Sequence, residues 1–269
     1  MAALVYLVVA GPCWAASASR VVHEQVDTTS PLTVAKQLAL SGADLPHGWT
    51  SDGQAGQCMA GKGFNPAAPY CGNAPLPSWQ TSFEKFAACV GVPVSQIPLV
   101  AGWDEPGEPF TYSSSSYTAP GPPGANPDFQ SHVQSALMIE MSASEEERDL
   151  DAFSKPSFPV CFNILESGSL FAFLKEFIVA EHGTFSFGGM HRVAEPATAG
   201  VTTIGYEATM DLRSPKLSIS ETITWVLFGA GRVEEVLELG STSRSRLPAA
   251  VADTALAHLG KRLAAYVAG

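Results

Sequence analysis

Basic residues are scarce in this chain of 269 residues, which has 15 Lys and Arg against 26 Asp and Glu and a formal net charge of −11. Binding to nucleic acid or to an anionic membrane surface needs clustered basic side chains that neutralise phosphate groups. The composition therefore argues against nucleic acid and anionic lipid as partners. It leaves small molecules, glycans and other proteins.

Familiar catalytic motifs are also missing. The sequence has no G-x-S-x-G elbow, P-loop, H-E-x-x-H or dinucleotide-binding glycine pattern. An S-x-x-K match at Ser82 and Lys85 lacks the S-D-N and K-T-G motifs that accompany it in penicillin-recognising enzymes. His182 and His191 flank an aromatic strand, but a metal needs about three ligands. We therefore predict no catalytic residue, no metal site and no cofactor.

The first residues are apolar and uncharged. Residues 1–18 have a core of about ten apolar residues, shorter than the roughly twenty that a membrane-spanning helix needs, and end in an A-x-A pattern at Ala16 to Ala18. We predict a signal peptide and a secreted or cell-envelope protein. The pattern departs from a typical signal peptide in one respect, since no basic residue precedes the core, and an uncleaved membrane anchor is the alternative. Lipidation at Cys13 is disfavoured because Pro12 stands before it.

Four cysteines follow the leader: Cys58, Cys71, Cys89 and Cys161. An even set of thiols in an exported chain predicts two disulfides. Four cysteines allow three pairings, and we favour Cys58 with Cys71, across a local loop, and Cys89 with Cys161, between two helices. Structural zinc is disfavoured, because close C-x-x-C pairs are absent.

The chain changes character near residue 128. Residues 19–127 are rich in Pro, Gly and Ser, and we predict an irregular half with short helices at 32–40 and 79–90. Residues 104–127, with four consecutive serines, have the composition of a mobile loop. Residues 128–269 alternate strand and helix patterns and form the sheet portion of the same domain.

The second half predicts an antiparallel sheet. A capping box at Ser144 and Glu147 predicts a short helix, an apolar helix begins at Cys161, and a last helix covers residues 248–267. Alternating or apolar runs predict strands at 132–141, 184–187, 190–193, 201–212, 217–228 and 233–239. The expected fold class is α+β, with an antiparallel sheet of about five strands and helices packed on one face.

The last two predicted strands form a hairpin around Gly229-Ala230-Gly231. A three-residue loop sets Leu227 opposite Val233, so that apolar residues meet on one face. In this register Glu221 and Glu235 both lie on the apolar face, and Glu235 lies opposite Trp225. A carboxylate there needs a partner, a cavity or the edge of the sheet. Edge placement is one interpretation, and Glu221, Glu235 and Trp225 lining a ligand cleft is the other.

Several short motifs occur along the chain in a fixed order. They are Asp44-Leu45-Pro46-x-Gly48-Trp49, Phe86-x-x-Cys89, Val133-Gln134-Ser135, Phe158-x-x-Cys161 and Gly231-Arg232-Val233. In these motifs the chain resembles exported actinobacterial envelope proteins: it is similar to the extracellular sensor domain of PknH-type kinases and, more distantly, to LpqN-like lipoproteins. The resemblance implies a helix-flanked antiparallel sheet, two disulfides and a cleft for an unidentified ligand, and it implies no catalytic residue.

We therefore expect an exported, sensor-like domain without catalytic activity that binds a small molecule, a glycan or an envelope protein. A secreted hydrolase is the first alternative and requires a nucleophile or metal close to a base. A protein-interaction module is the second, and it requires an exposed apolar patch or a free sheet edge.

Overall fold

The computed structural model describes residues 30–53, 55–58, 77–92, 110–121, 130–165, 183–195, 197–215, 217–243 and 245–269. The helices in these ranges are α1 (Pro31–Leu38), α2 (Pro77–Val90), α3 (Ala143–Ser154), α4 (Phe158–Leu165) and α5 (Ala249–Ala268), with a short 3-10 helix at Gly42–Asp44. The strands are β1 (Thr50–Ser51), β2 (Gly56–Cys58), β3 (Phe110–Ser113), β4 (Tyr117–Thr118), β5 (His132–Ile139), β6 (Thr184–Val193), β7 (Thr202–Ser214), β8 (Leu217–Ala230) and β9 (Val233–Thr242).

The nine described strands form one antiparallel sheet, which confirms the α+β class. Its main order is β1-β4-β5-β9-β8-β7-β6, while β3 also pairs with β5 and β2 pairs with β3. The prediction of about five strands was too low. The additional strands β1 to β4 are two to four residues long and interrupt polar, Ser-rich sequence, so they show no hydrophobic period.

Part of the predicted loop at residues 104–127 therefore belongs to the sheet. Strands β3 and β4 lie inside it, and the four serines from Ser113 to Ser116 are buried. Ser114 Oγ accepts a hydrogen bond from the Ser135 amide at 2.8 Å. Composition alone indicated a connector because serine is common in linkers, whereas these four serines are buried and Ser114 is hydrogen-bonded to the backbone of β5.

The prediction that helices pack on one face is wrong, because both faces of the sheet are covered. Helices α2, α3 and α4 pack on the face that carries Tyr206, Ile223 and Trp225, which we call face A. Helices α1 and α5 pack on the opposite face, face B, against Val226 and Phe228. The cause is visible in the second half of β8, where the side chains of both alternating sets from Trp225 to Phe228 are apolar and buried, as expected for a central strand.

The helix predictions hold with small shifts. Helices α1, α2 and α5 lie at the predicted positions, although α3 opens differently. Its capping box uses Ser142 and Glu145 rather than Ser144 and Glu147, and the Ser142 amide donates to Glu145 Oε2 at 3.1 Å. Both serine–glutamate pairs fit the motif, but the helix begins at the first pair, which is closer to the end of β5.

A disulfide joins Cys89 in α2 to Cys161 in α4, as predicted. It closes a loop across 72 residues and fastens the N-terminal half of the chain to the helices of face A. The predicted partner bridge lies outside the described residues, because Cys71 and the side chain of Cys58 are not among them. The predicted leader, residues 1–18, also lies outside them. Among the described helices, none has the length and apolarity needed to cross a membrane.

The β8–β9 hairpin has a tighter turn than predicted. Ala230 lies opposite Val233, so the turn contains only Gly231 and Arg232, and Gly231 adopts a φ of +66°. Leu227 therefore faces Val236 rather than Val233. Glycine tolerates this left-handed conformation, which permits the two-residue turn.

The new register separates the two glutamates that were expected on one face. Glu221 lies opposite Thr242 on face A, whereas Glu235 lies opposite Phe228 on face B. Trp225 faces Glu238, so the expected opposition of Glu235 and Trp225 is wrong. The predicted register assumed that apolar residues lie opposite each other across the hairpin. It was wrong because polar side chains on face A lie opposite each other instead.

Candidate functional site

Face A carries a row of polar side chains across three neighbouring strands. His132 and Gln134 come from β5, Glu238 from β9, and Trp225 and Glu221 from β8. Gln134 lies opposite Glu238, which in turn lies opposite Trp225. Since alternate residues of a strand share a face, these register pairs bring all five side chains to the same surface. We call this set the polar row.

Direct contacts hold the centre of the polar row. His132 Nε2 lies 2.9 Å from Glu238 Oε1, and the Trp225 indole donates to Glu238 Oε2 at 2.9 Å. His132 Nδ1 lies 3.5 Å from Glu221 Oε1, an ion-pair distance rather than a hydrogen bond. Both oxygens of the Glu238 carboxylate are thus engaged, and His132 is held between two glutamates.

The position of the imidazole depends on a glycine. A Cβ atom at Gly240, which lies directly opposite His132, would stand 1.9 Å from His132 Cε1. Real atoms cannot approach so closely, so any side chain at residue 240 would displace the ring. Because Gly240 lies opposite His132 and has no side chain, the His132 ring can lie across β9 towards Glu238.

Two opposing effects set the protonation of the row. Burial alone would lower the pKa of His132, but the Glu238 hydrogen bond and the charges of Glu221 and Glu238 raise the pKa above its ordinary value. Burial raises the pKa of Glu221 to about 7, and His132 opposes that shift. The structure therefore favours an imidazolium at His132, bound mainly to Glu238.

Gln134 is the unusual member of the row. Its side chain is 0% exposed, yet within the described part of the chain neither its amide nitrogen nor its amide oxygen has a hydrogen-bond partner. An unmade hydrogen bond at a buried polar atom costs about 1–3 kcal/mol, and native proteins have few such atoms. A buried donor group and a buried acceptor group are therefore unsatisfied in the strand next to Glu238.

The row is poorly arranged for the common hydrolytic mechanisms. In a Ser-His-Asp triad one imidazole nitrogen faces the nucleophile, whereas both nitrogens of His132 face carboxylates. In a glycosidase the two carboxylates flank the scissile bond, whereas here the imidazole occupies the space between Glu221 and Glu238. The geometry suits hydrogen bonding to a bound molecule better than proton transfer to it.

The structure distributes the sequence-predicted site residues between separate places. Glu221 and Trp225 belong to the polar row, whereas Glu235 is fully buried on face B. Burial raises the pKa of Glu235 to about 8, although Ser135 and Arg262 oppose the shift. His191 is exposed, 3.6 Å from Glu207, and His182 lies outside the described residues.

The Asp44 turn has a structural role on face B. Asp44 Oδ2 accepts hydrogen bonds from the Ser41 amide at 2.8 Å and from Arg262 at 2.9 Å, and Oδ1 lies 3.2 Å from His258 Nδ1. Burial opposes ionisation of Asp44, but the Ser41 hydrogen bonds and Arg262 lower its pKa. The motif thus ties the N-terminal half of the chain to α5.

Sequence reasoning did not identify His132, Gln134 or Glu238 as site residues. The odd positions of β5 are mostly apolar, so the period-two pattern indicated one buried face, whereas the face with His132 and Gln134 is also buried. The predicted hairpin register does not pair Glu238 with Trp225, as the structure does. One signal could have found these three residues. Polar side chains are frequent in β5 and β9, and both strands are buried on both faces.

Searches of protein-family models, of curated proteins and of solved structures found no match to this chain.

Proposed function

We propose that this protein is an extracytoplasmic, sensor-like domain that binds a small polar molecule at the polar row of face A without transforming it. The single observation that carries the proposal is Gln134, whose fully buried amide lacks partners at both polar atoms within the described residues. A binding site must keep such groups available, at a cost to the stability of the ligand-free protein. The Cys89–Cys161 disulfide is consistent with the extracytoplasmic location.

The charges of the row indicate the chemical class of the ligand. An imidazolium at His132 and the carboxylates of Glu221 and Glu238 leave at most one net negative charge, which does not favour an anion. Gln134 offers one donor and one acceptor, while Glu221 Oε1 is a further acceptor without a hydrogen bond. A molecule with several hydroxyl groups, or with hydroxyl groups and an amine, matches this set. The resemblance to sensor domains of PknH-type kinases supports a ligand cleft but not a particular class of ligand.

Two alternatives fit the geometry less well. A hydrolase needs a free general base, and both nitrogens of His132 are engaged. An interaction module that adds a strand would use β6, which ends the order of the described strands. However, β6 is interrupted by an irregularity between Phe187 and Met190, and Gly189 adopts a φ of +83°. Such a bulge disrupts the regular edge that strand addition requires.

Calorimetric titration with three probes tests the proposal. Glucosamine carries both hydroxyl groups and an amine, glucose carries only hydroxyl groups, and ethanolamine tests the amine with minimal hydroxyl content. We expect saturable binding of glucosamine or glucose that weakens at least about tenfold in Gln134→Met, the effect of losing about 1.4 kcal/mol. The matched control is Ser135→Ala, because Ser135 is the next residue in β5 but lies on face B.

Binding that is unchanged in Gln134→Met, or no saturable binding of any probe, would contradict the assignment. His132-dependent turnover of nitrophenyl ester or glycoside substrates would support the hydrolase instead.

A further inference from the structure

A second cluster on face A contains only acidic ligands. Glu140 directly follows β5, Glu234 lies in β9, and Asp149 lies in α3. All three are buried, and one carboxylate oxygen from each lies within 4.8 Å of the other two. Glu234 and Glu238 are four residues apart on the same face, roughly 13 Å along β9. The cluster is therefore separate from the polar row.

Backbone and helix contacts fix these three residues. The Glu140 amide donates to the Arg232 carbonyl at 2.7 Å, and Arg232 Nε donates to the Glu140 carbonyl at 2.8 Å. Met138 lies opposite Glu234, which places the end of β5 beside the start of β9. Asp149 shares the buried side of α3 with Leu150 and Phe153. The carboxylates thus converge from the end of β5, the start of its neighbour β9, and α3.

The cluster has no adequate internal compensation. Glu140 is 0% exposed and neither of its carboxylate oxygens has a partner in the described structure, and the same holds for Asp149 Oδ2 and Glu234 Oε1. Arg148 Nε lies 3.5 Å from Asp149 Oδ1, and Arg232 Nε is hydrogen-bonded to the Glu140 backbone carbonyl rather than to a described carboxylate. A fourth acid, Glu146, is buried next to the cluster, so the charge of Arg148 is set against four carboxylates. Unpaired buried carboxylates require protons or a cation.

Oxygen ligands at this spacing fit a hard divalent cation. Calcium binds oxygen atoms at about 2.3–2.6 Å, so two ligands on opposite sides of one ion lie about 5 Å apart. The 4.8 Å limit on the three oxygens is within that range. The structure assigns Glu140, Asp149 and Glu234 as a candidate calcium-binding site that joins α3 to the ends of β5 and β9.

Protons are the competing form of compensation. Burial and the neighbouring acids raise the pKa of Glu140 to about 8, and burial raises the pKa of Asp149 to about 7 despite the opposing Arg148. The burial of Glu234 and the neighbouring carboxylates raise its pKa in the same direction. Protons compete less with a cation at pH 8 than at neutral pH, so the cation site is tested at pH 8.

The test is a titration of the full chain with CaCl₂ at pH 8 after treatment with EDTA, followed by calorimetry and by thermal unfolding. We expect one saturable site and, at ten times the dissociation constant, a rise in Tm of about 3–6 °C. Glu140→Gln, Asp149→Asn and Glu234→Gln should each weaken binding at least about tenfold. Asp151→Asn is the matched control, because Asp151 lies on the exposed side of the same helix.

A second readout separates loss of binding from loss of folding. In EDTA each neutral variant should unfold at the same Tm as the native protein or higher, because it removes a buried, repelling charge. No calcium response up to about 10 mM, ten times the weakest dissociation constants of extracellular calcium modules, would overturn the proposal. Equal binding by Glu234→Gln and Asp151→Asn would overturn it as well.

Discussion

Replacing Gln134 by methionine should stabilise the protein, although the residue is fully buried. The two side chains have similar length, and methionine has no polar group that needs a partner. Gln134 leaves one nitrogen and one oxygen without hydrogen bonds within the described residues. Removing these unmade bonds should raise the free energy of unfolding by about 1–3 kcal/mol. For a chain of this size the corresponding rise in Tm is about 2–12 °C.

The adjacent residue gives a control with the opposite sign. Ser135 is also 0% exposed, but its hydroxyl accepts a hydrogen bond from the Leu40 amide at 2.9 Å. Ser135→Ala leaves that amide unpaired and should lower the free energy of unfolding by about 1–3 kcal/mol. Urea unfolding, monitored by fluorescence, measures both changes. A loss of more than about 1 kcal/mol in Gln134→Met would show that the amide makes hydrogen bonds in the native protein, and our reasoning would be refuted.

Three further predictions concern the sheet and its supports. Gly240→Ala should destabilise the protein by about 1–3 kcal/mol in urea unfolding, because a Cβ would meet the His132 ring; a change within about 0.5 kcal/mol would contradict that packing. Because the pKa of His132 is raised in the folded protein, protonated His132 should contribute its full stabilisation below about pH 6.5. This stabilisation should decrease as the pH rises through the pKa of His132 in the folded protein. Comparing native protein with His132→Gln from pH 5 to 9 measures this loss, and a contribution that grows with pH would refute it. Cys89→Ala with Cys161→Ala should cost about 4 kcal/mol, because the disulfide closes a 72-residue separation; equal Tm values for native and variant protein would contradict this role.

The sequence predicted the long elements well because their patterns are local. Strand β7 alternates buried and less buried side chains over 13 residues, and α5 carries its apolar stripe over 20 residues. The Cys89–Cys161 bridge followed from the even number of cysteines and the two helices. These features need little information about distant parts of the chain.

Features that depend on pairing between strands were not predictable in this way. A short strand such as β3 has no measurable period, and its stability comes from β5. The hairpin register depended on Gly231 and on polar pairs such as Trp225 with Glu238, which an apolar matching rule ignores. The polar row was hidden because β5 is buried on both faces, so polar residues there do not indicate solvent.

The most direct test of the central claim is an NMR titration of the uniformly ¹⁵N-labelled protein with glucosamine and with glucose. We expect saturable shifts of the Gln134 side-chain amide and of the Trp225 indole, with the same dissociation constant that calorimetry gives. In Gln134→Met the Trp225 indole should need at least about tenfold more ligand for the same shift, while the spectrum remains that of a folded protein. Saturable binding that leaves both signals unchanged, or no binding of either sugar, would contradict a ligand site at the polar row.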